Sequence, residues 1–461
     1  MKNFAHWGIK RRIFPEKNYN ALWNGANFKT IRFGTGVAEQ MDPGFQEFYD
    51  VAITTRCNLS CQFCVPGTTS VSTPDGQKEI ASLKIGDNVH SYDHSSSSIR
   101  SNKIVQTFKR AYTGDLIEMK TDKKTLRLTP NHKVFTVNRG YVEAKDLTIE
   151  DDILNNRIKR IKRIKYVGFV YNIAVENDNN YFANSILVHN CYVAAGKGGE
   201  HFESISETWK KWMSHPMYFE EKGVRKDDEI LQALTLGREI PLDKLPVTYT
   251  NKPFQIAIGS TGEPTIHPDF CKFLESVYET NVVPNYTTNG LVLASETKER
   301  DALLEATRNF VGGVAVSYGN ELARGSARKA VSVLLEKGET NVNIHHLIKD
   351  KSSVDAMIKL TQEYGEDIKY HVLLPLMQHG RSTEGMEPCT FEYLEDQILK
   401  NNIKNVAFGA NFVKYLTGPD AKIKTWSYPP ESLSANVILK KDQVCITPSS
   451  FNLDIIHTID L

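Results

Sequence analysis

The chain has 461 residues, 40% of them apolar and 24% charged, an ordinary composition for a globular protein with room for two or three domains. Lys+Arg is 56 against Asp+Glu 55, a net charge of +1, which gives no electrostatic case for nucleic-acid or membrane-surface binding. The opening MKNFAHWGIKRR lacks the apolar core of a signal peptide, and no run of roughly 18 apolar residues could span a bilayer, so the expectation is a cytoplasmic protein without a membrane partner.

Taken in chain order, the first clear strand is Glu47–Thr55. It leads into Cys57, Cys61 and Cys64, three of the seven cysteines. Without an export signal, metal binding or nucleophilic chemistry is the better reading of that crowd than a disulfide framework. From Cys64 to Asn190 the pattern is β-branched alternation: Lys103–Phe108, Leu116–Thr121, Lys133–Val137 and Val167–Val175. Turn signals at Pro74-Asp75-Gly76, Thr113-Gly114-Asp115 and Asn138-Arg139-Gly140 divide it into many short strands. This block holds 19 Lys+Arg and 14 Asp+Glu, a balance of +5, against 37 and 41 in the flanks, a balance of −4. The basic run Arg157–Lys165 reads as a solvated strand face with Ile at intervals. Residues 200–251 form a long excursion, with Trp209 and Trp212 as packing residues of a helix.

Beyond it, short apolar runs (Phe254–Gly259, Val282–Thr287, Val311–Ser317, Asn341–Ile348, Tyr370–Leu374) alternate with helical stretches (Asp269–Thr280, Glu296–Arg308, Ala323–Lys337, Val354–Tyr364). Ala327, Val331 and Leu334 share one helical face. Strand–helix alternation implies a parallel sheet with crossover helices, open or closed into a barrel. The adjacent His345 and His346 on the fifth strand face opposite ways, and Cys271, Cys389 and Cys445 read as core or incidental thiols.

The edges of the β-rich block carry chemistry. It opens with Cys64-Val65-Pro66-Gly67, closes with His189-Asn190, and is followed by Cys191, with Thr129-Pro130-Asn131-His132 inside. In order and spacing it resembles an intein, which implies the all-β Hint fold; at 127 residues it resembles a minimal one without a homing endonuclease. The resemblance implies autocatalytic protein splicing. Cys64 attacks the Phe63 carbonyl, a role suited to a thiol of pKa about 8.5. Thr129 and His132 assist, His132 as general acid. Cys191 takes over the upstream chain, and Asn190 cyclises with help from His189. Two positions depart from the family pattern: Asn172 stands where an acid is usual, and Asn179 or Asn180 where a histidine is usual. The rival reading is a Hint insertion that never splices, in an inactive or cluster-binding scaffold.

Joined across the block, the flanks read TTRCNLSCQFCYV, with Cys57, Cys61 and Cys191 in register and Phe63 before the last. This resembles the radical S-adenosylmethionine (SAM) enzymes. The resemblance implies an α/β partial (βα)6-type TIM barrel, three thiolates on a [4Fe–4S] cluster, SAM on its open iron, and an electron donor such as flavodoxin or ferredoxin. It further implies reductive cleavage of SAM to a 5′-deoxyadenosyl radical that abstracts hydrogen from a substrate. Gly262-Glu263-Pro264 resembles the family's turn for the methionine amino group, with Thr261 in place of its first glycine. Asn289 and Ser317, also at strand ends, complete the cofactor residues with Phe63. A structural zinc site lacks an evident fourth ligand. The expected organisation is therefore 1–63 and 191–461 as one barrel domain, interrupted by 64–190.

Overall fold

The computed structural model describes residues 7–14, 19–25, 29–33, 46–56, 64–94, 96–154, 156–176, 178, 180–189, 200–226, 228, 231–232, 247–318, 324–376, 385–416, 421–423, 434–447, 455 and 457–461. It divides into two compact units, one of Met1–Asn58 with His201–Leu461 and one of Leu59–Glu200. Among the described residues no helix is long and apolar enough to cross a membrane.

In the first unit, the strands Phe48–Ala52, Gln255–Ile258, Val283–Thr288, Gly313–Ser317, Val342–Ile348, Tyr370–Pro375 and Val406–Phe408 pair side by side in sequence order. Every one of those pairings is parallel. Each crossover therefore advances by one strand without reversal, unlike a doubly wound sheet. Alternate strand residues such as Ile256, Ile258, Val314, Val316 and Ile344 share a core with Phe273, Val277 and Leu303 from the crossover helices. Ala327, Val331 and Leu334 enter that core from Arg324–Glu336, as their spacing requires. Burial of each such Val, Leu or Phe is worth about 1.5–3 kcal/mol.

Two features of this unit went unread in the sequence, the strands after residue 433 and a second sheet. Phe48–Ala52 pairs on its other side with Ser434–Lys440, which continues antiparallel through Gln443–Thr447 to His457–Asp460. Along the described path the sheet stays open. A separate five-stranded sheet joins Ile9–Phe14, Tyr19–Asn24 and Lys29–Phe33 to Val247–Thr250 and Glu220–Lys222. The excursion after residue 200 is thus structured, and its helix Ile205–Met213 buries Trp209 and Trp212 as packing residues. Trp209 Nε1 donates to Thr280 Oγ1 at 2.9 Å, and Trp212 lies 4.7 Å from the Tyr49 ring.

The second unit is all β, a twelve-stranded sheet around its own apolar core. The expectation of short strands fails in one place. Ser98–Thr121 and Asn156–Val175 are long, and they pair antiparallel from Ile104 to Thr121 and from Ile158 to Val175. Thr113-Gly114-Asp115 is no turn: Gly114 lies opposite Tyr166 within the ladder. Cross-strand pairing on both sides of Gly114 overrides its weak strand preference. The turns at Pro74-Asp75-Gly76 and Asn138-Arg139-Gly140 do join hairpins. The basic run lies on the exposed stretch of Asn156–Val175, where Lys162 and Arg160 meet Glu118 at 3.0 and 3.8 Å, and Lys165 meets Asp115 at 2.8 Å. Part of its charge is thus answered by the neighbouring strand.

Candidate functional site

The all-β unit gathers its candidate residues around one β-turn. Thr129-Pro130-Asn131-His132 links the strands Thr125–Leu128 and Lys133–Thr136, closed by His132 N donating to Thr129 O at 3.0 Å. Pro130 suits position i+1 of such a turn. The turn is clamped from outside by Lys145 N on Pro130 O at 2.7 Å and Ala144 N on His132 O at 2.9 Å.

Thr129 holds the start of the block. Cys64 N donates to Thr129 Oγ1 at 2.9 Å, and Thr129 N donates to Cys64 O at 2.9 Å. His132 holds its end, with Nε2 3.0 Å from the His189 carbonyl oxygen. Since a carbonyl only accepts, Nε2 carries the proton. Cys64, Thr129, His132 and His189 are all buried. Burial pushes His132 down to about 4, against smaller raising effects of the Cys64 and His189 backbones, so its ring is neutral near pH 7. Nδ1 has no partner of hydrogen-bond geometry among the described residues, yet the Cys64 backbone lies close enough to act on the ring. The expected general acid is therefore not a resting imidazolium.

The two departures from the expected pattern are structural. Asn172 Oδ1 accepts from Ile173 N at 2.8 Å and from Tyr181 Oη at 3.1 Å. Asn180 lies opposite His189 in the ladder, but its amide brackets Tyr92, accepting from Tyr92 N at 2.7 Å and donating to Tyr92 O at 2.8 Å. Asn179, Asn190, Cys191 and Phe63 lie outside the described residues.

In the other unit, Gly262, Glu263 and Pro264 come together with Asn289. Glu263 is buried and accepts from Thr288 Oγ1 at 2.7 Å, Asn289 N at 2.8 Å and Thr265 Oγ1 at 2.5 Å. Burial raises its carboxyl above the usual range, against those donors, which lower it. Gly262 has φ +69°, and a Cβ there would stand 2.5 Å from Arg56 O and 2.6 Å from Thr54 O. Glu263 N donates to Arg56 O at 2.6 Å, and Thr261 Oγ1 donates to Thr54 O at 3.2 Å. The turn is thereby stitched to the segment that runs into Cys57. Thr261, which breaks the glycine pattern, is one of the stitches. Pro264 opens the short helical turn that follows. Ser317 ends Gly313–Ser317 in register with His345, whose burial pushes it down to about 4. His346 points into the opposite row, with Nε2 3.0 Å from His371 Nδ1. Cys57 and Cys61 lie outside the described residues; among the described ones no cluster of three His, Cys, Asp or Glu could hold a metal.

Sequence reasoning gave Thr54 and Thr288 no role of their own and missed His201 and His267. Thr54 Oγ1 is 3.0 Å from His201 Nδ1, and the His201 and His267 rings pack edge to face at 4.9 Å. His267 Nδ1 accepts from Asp269 N at 3.1 Å, so its Nε2 donates to Phe202 O at 2.9 Å. Only the short spacing from Glu263 to His267 could have pointed to the last of these.

Comparisons with known proteins bear on the all-β unit. Residues 70–191 match the family model of the pretoxin HINT domain. An uncharacterized protein of Methanocaldococcus jannaschii is 26% identical over 140 residues, 23% of this chain and 17% of that protein. Reverse gyrase of the same organism is 30% identical over 67 residues, 13% of this chain and 4% of that protein. The chain thus spans a small part of each of these relatives. Among solved structures, a bacterial intein-like domain from Clostridium thermocellum is 24% identical, with a TM-score of 0.27. It is matched over 98% of its length by 28% of this chain. A DnaB intein from Synechocystis sp. is 20% identical, with the same coverage and a TM-score of 0.26. The all-β unit is thus a Hint/intein-like domain.

Proposed function

We propose that the chain is a precursor that excises residues 64–190 and joins Phe63 to Cys191. The observation that carries this is the double engagement of one turn: Thr129 grips the Cys64 backbone while His132 reaches the His189 carbonyl. In this reading the neutral His132 takes the proton leaving the Cys64 thiol and delivers it to the amide nitrogen that departs as the thioester forms. Thr129 holds that nitrogen. Cys191 then receives the upstream chain by thioester exchange, Asn190 cyclises and cuts its bond to Cys191, and an S-to-N shift restores a peptide bond. Expression of the full chain tests it: a denaturing gel with intact-mass measurement is expected to show products of 334 and 127 residues. A single persistent chain of 461 residues rejects splicing and favours the inert Hint insertion.

The joined product is proposed to be a radical SAM enzyme. Cys57, Cys61 and Cys191 would hold a [4Fe–4S] cluster, whose chemistry when bound would be one-electron reduction of SAM. Support comes from the Glu263 site. Its carboxylate is desolvated and its donors are all uncharged, so a ligand ammonium would complete its electrostatics. Gly262 keeps the backbone close to the segment leading to Cys57. Phe63, Asn289 and Ser317 would line the rest of the SAM site. A flavodoxin or ferredoxin is the proposed electron source. Formation of 5′-deoxyadenosine by the spliced, reconstituted protein under a chemical reductant is the test; its absence with cluster and SAM both bound rejects the assignment.

A further inference from the structure

One group of side chains beside His189 is unused by that scheme. His189 packs edge to face against Tyr141, with ring centroids 5.0 Å apart and planes at 81°. Tyr141 belongs to Gly140–Glu143, the hairpin partner of Lys133–Thr136, and sits opposite Phe135. Its hydroxyl lies 3.1 Å from His94 Nε2. The His94 ring is itself lodged among aromatics, 4.8 Å from Phe135 and 5.1 Å from Tyr92. Tyr92 in turn is fixed through its backbone by Asn180. An ordered row therefore runs inward from exposed His94 through half-buried Tyr141 to buried His189, the neighbour of Asn190.

This row does what the residue across the ladder does not. Asn180 faces His189, but its amide is committed to the backbone of Tyr92 and to Asp178 O. An edge-to-face aromatic pair is worth about 0.5–1.5 kcal/mol, enough to favour one ring orientation, and a hydrogen bond at the far end of the phenol removes the remaining freedom.

Resting on the splicing reading, we propose that His94 and Tyr141 are positioning residues for Asn190 cyclisation: Tyr141 sets the plane of the His189 imidazole, and His94 anchors the Tyr141 hydroxyl. In the step they serve, the Asn190 side-chain nitrogen forms a bond to its own carbonyl carbon while the bond to Cys191 breaks. One amide proton leaves the attacking nitrogen and reaches the departing amine of Cys191, and His189 is the imidazole that carries it. A ring turned out of plane fails that transfer, whereas the acyl shift at Cys64 does not use it.

The test uses the full chain with Cys64→Ala, in which the acyl shift is blocked and cleavage between Asn190 and Cys191 reports cyclisation alone. Tyr141→Phe and His94→Phe are expected to slow that cleavage about ten-fold. His94→Gln, whose amide still reaches the phenol, is expected to stay within about two-fold of the parent. In an Asn190→Ala background, thiol-induced cleavage after Phe63 is expected to change less than about two-fold in all three variants. Parent-like cyclisation in both Phe variants overturns the proposal. So does equal slowing of both steps, or His94→Gln behaving like His94→Phe. Nitrogen-15 histidine spectra of the Cys64→Ala chain, with His189 identified through His189→Gln, give a second readout. The His189 signal is expected to move in His94→Phe and to hold in His94→Gln, and an unmoved signal in both overturns the anchoring. A Cys64→Ala parent that never cleaves at Asn190 defeats the splicing reading instead, and the spectra then decide the anchoring by themselves.

Discussion

The two units hold their candidate groups by opposite devices. In the Hint unit one rigid β-turn, Thr129 to His132, reaches two distant points of the chain, Cys64 and His189, and antiparallel ladders bring those points to it. In the parallel-sheet unit no single turn does this. Glu263 is positioned by the ends of successive strands, through Thr288, Asn289 and the carbonyl of Arg56. The lesson concerns charge. Burial alone leaves the Hint histidine neutral, which suits a group that receives and returns a proton. Burial of Glu263 instead raises its carboxyl above the usual range, against the donors that hold it, which is the feature the proposed ammonium ligand would answer.

Separability of the two sites is the first way to break this comparison, and the largest effect. Cys57→Ala or Cys61→Ala is expected to abolish the visible absorbance of a reconstituted cluster in the spliced protein while the gel still shows splicing. Loss of splicing in either variant would make the sites one. Next, His132→Ala is expected to cut thiol-induced cleavage after Phe63 by roughly 10²–10⁴-fold, the usual worth of a positioned proton carrier. A Glu263→Gln control is expected to leave that rate alone.

A smaller effect sharpens the charge argument. The His132 pKa falls from 6.5 to about 4 on folding, so the unfolded chain binds its proton more tightly. Stability from this group is therefore complete above pH 6.5 and is lost as pH falls toward 4, on the order of 3 kcal/mol by then. Denaturant melts of the all-β unit followed between pH 7 and 4 are expected to show that loss, and His132→Gln to reduce it. Smallest is Gly262→Ala. Its φ of +69° and the 2.5 Å approach to Arg56 O predict a loss of about 1–3 kcal/mol in the parallel-sheet unit. Thermal unfolding of the spliced protein measures it, and an unchanged midpoint would remove the stitch between that turn and residues 54–56.

Legibility in the sequence followed the chemistry. Thr129, His132, Cys64 and His189 were readable as candidates because the proposed proton transfer and acyl shift call for those side chains, and the crossover helices because the apolar period of 3.6 was intact. The N-terminal sheet was hidden because three consecutive cations, Lys10, Arg11 and Arg12, do not mark a buried strand. They are buried, with Lys10 Nζ on Phe254 O at 3.3 Å, Arg12 on Asn251 O at 3.0 Å and Arg11 on Asp228 at 3.1 Å. No local pattern announces carbonyl partners more than two hundred positions away. Thr113-Gly114-Asp115 misled for the converse reason: it is a sound local turn signal that a long-range ladder overrules.

The sequence by itself determined which atoms are available for chemistry. It placed a thiol at Cys64, an Asn–Cys pair at 190 and 191, and a three-cysteine spacing that exists in the flanks once they are joined. Residue identity and short spacing are local properties, so they survive without a fold. Only the tertiary structure decided that Asn172 and Asn180 serve the framework, that His132 rests neutral between both ends of its domain, and that Glu263 is buried among uncharged donors. Those facts depend on desolvation and on hydrogen bonds between residues far apart in the chain, which exist only after packing has excluded water.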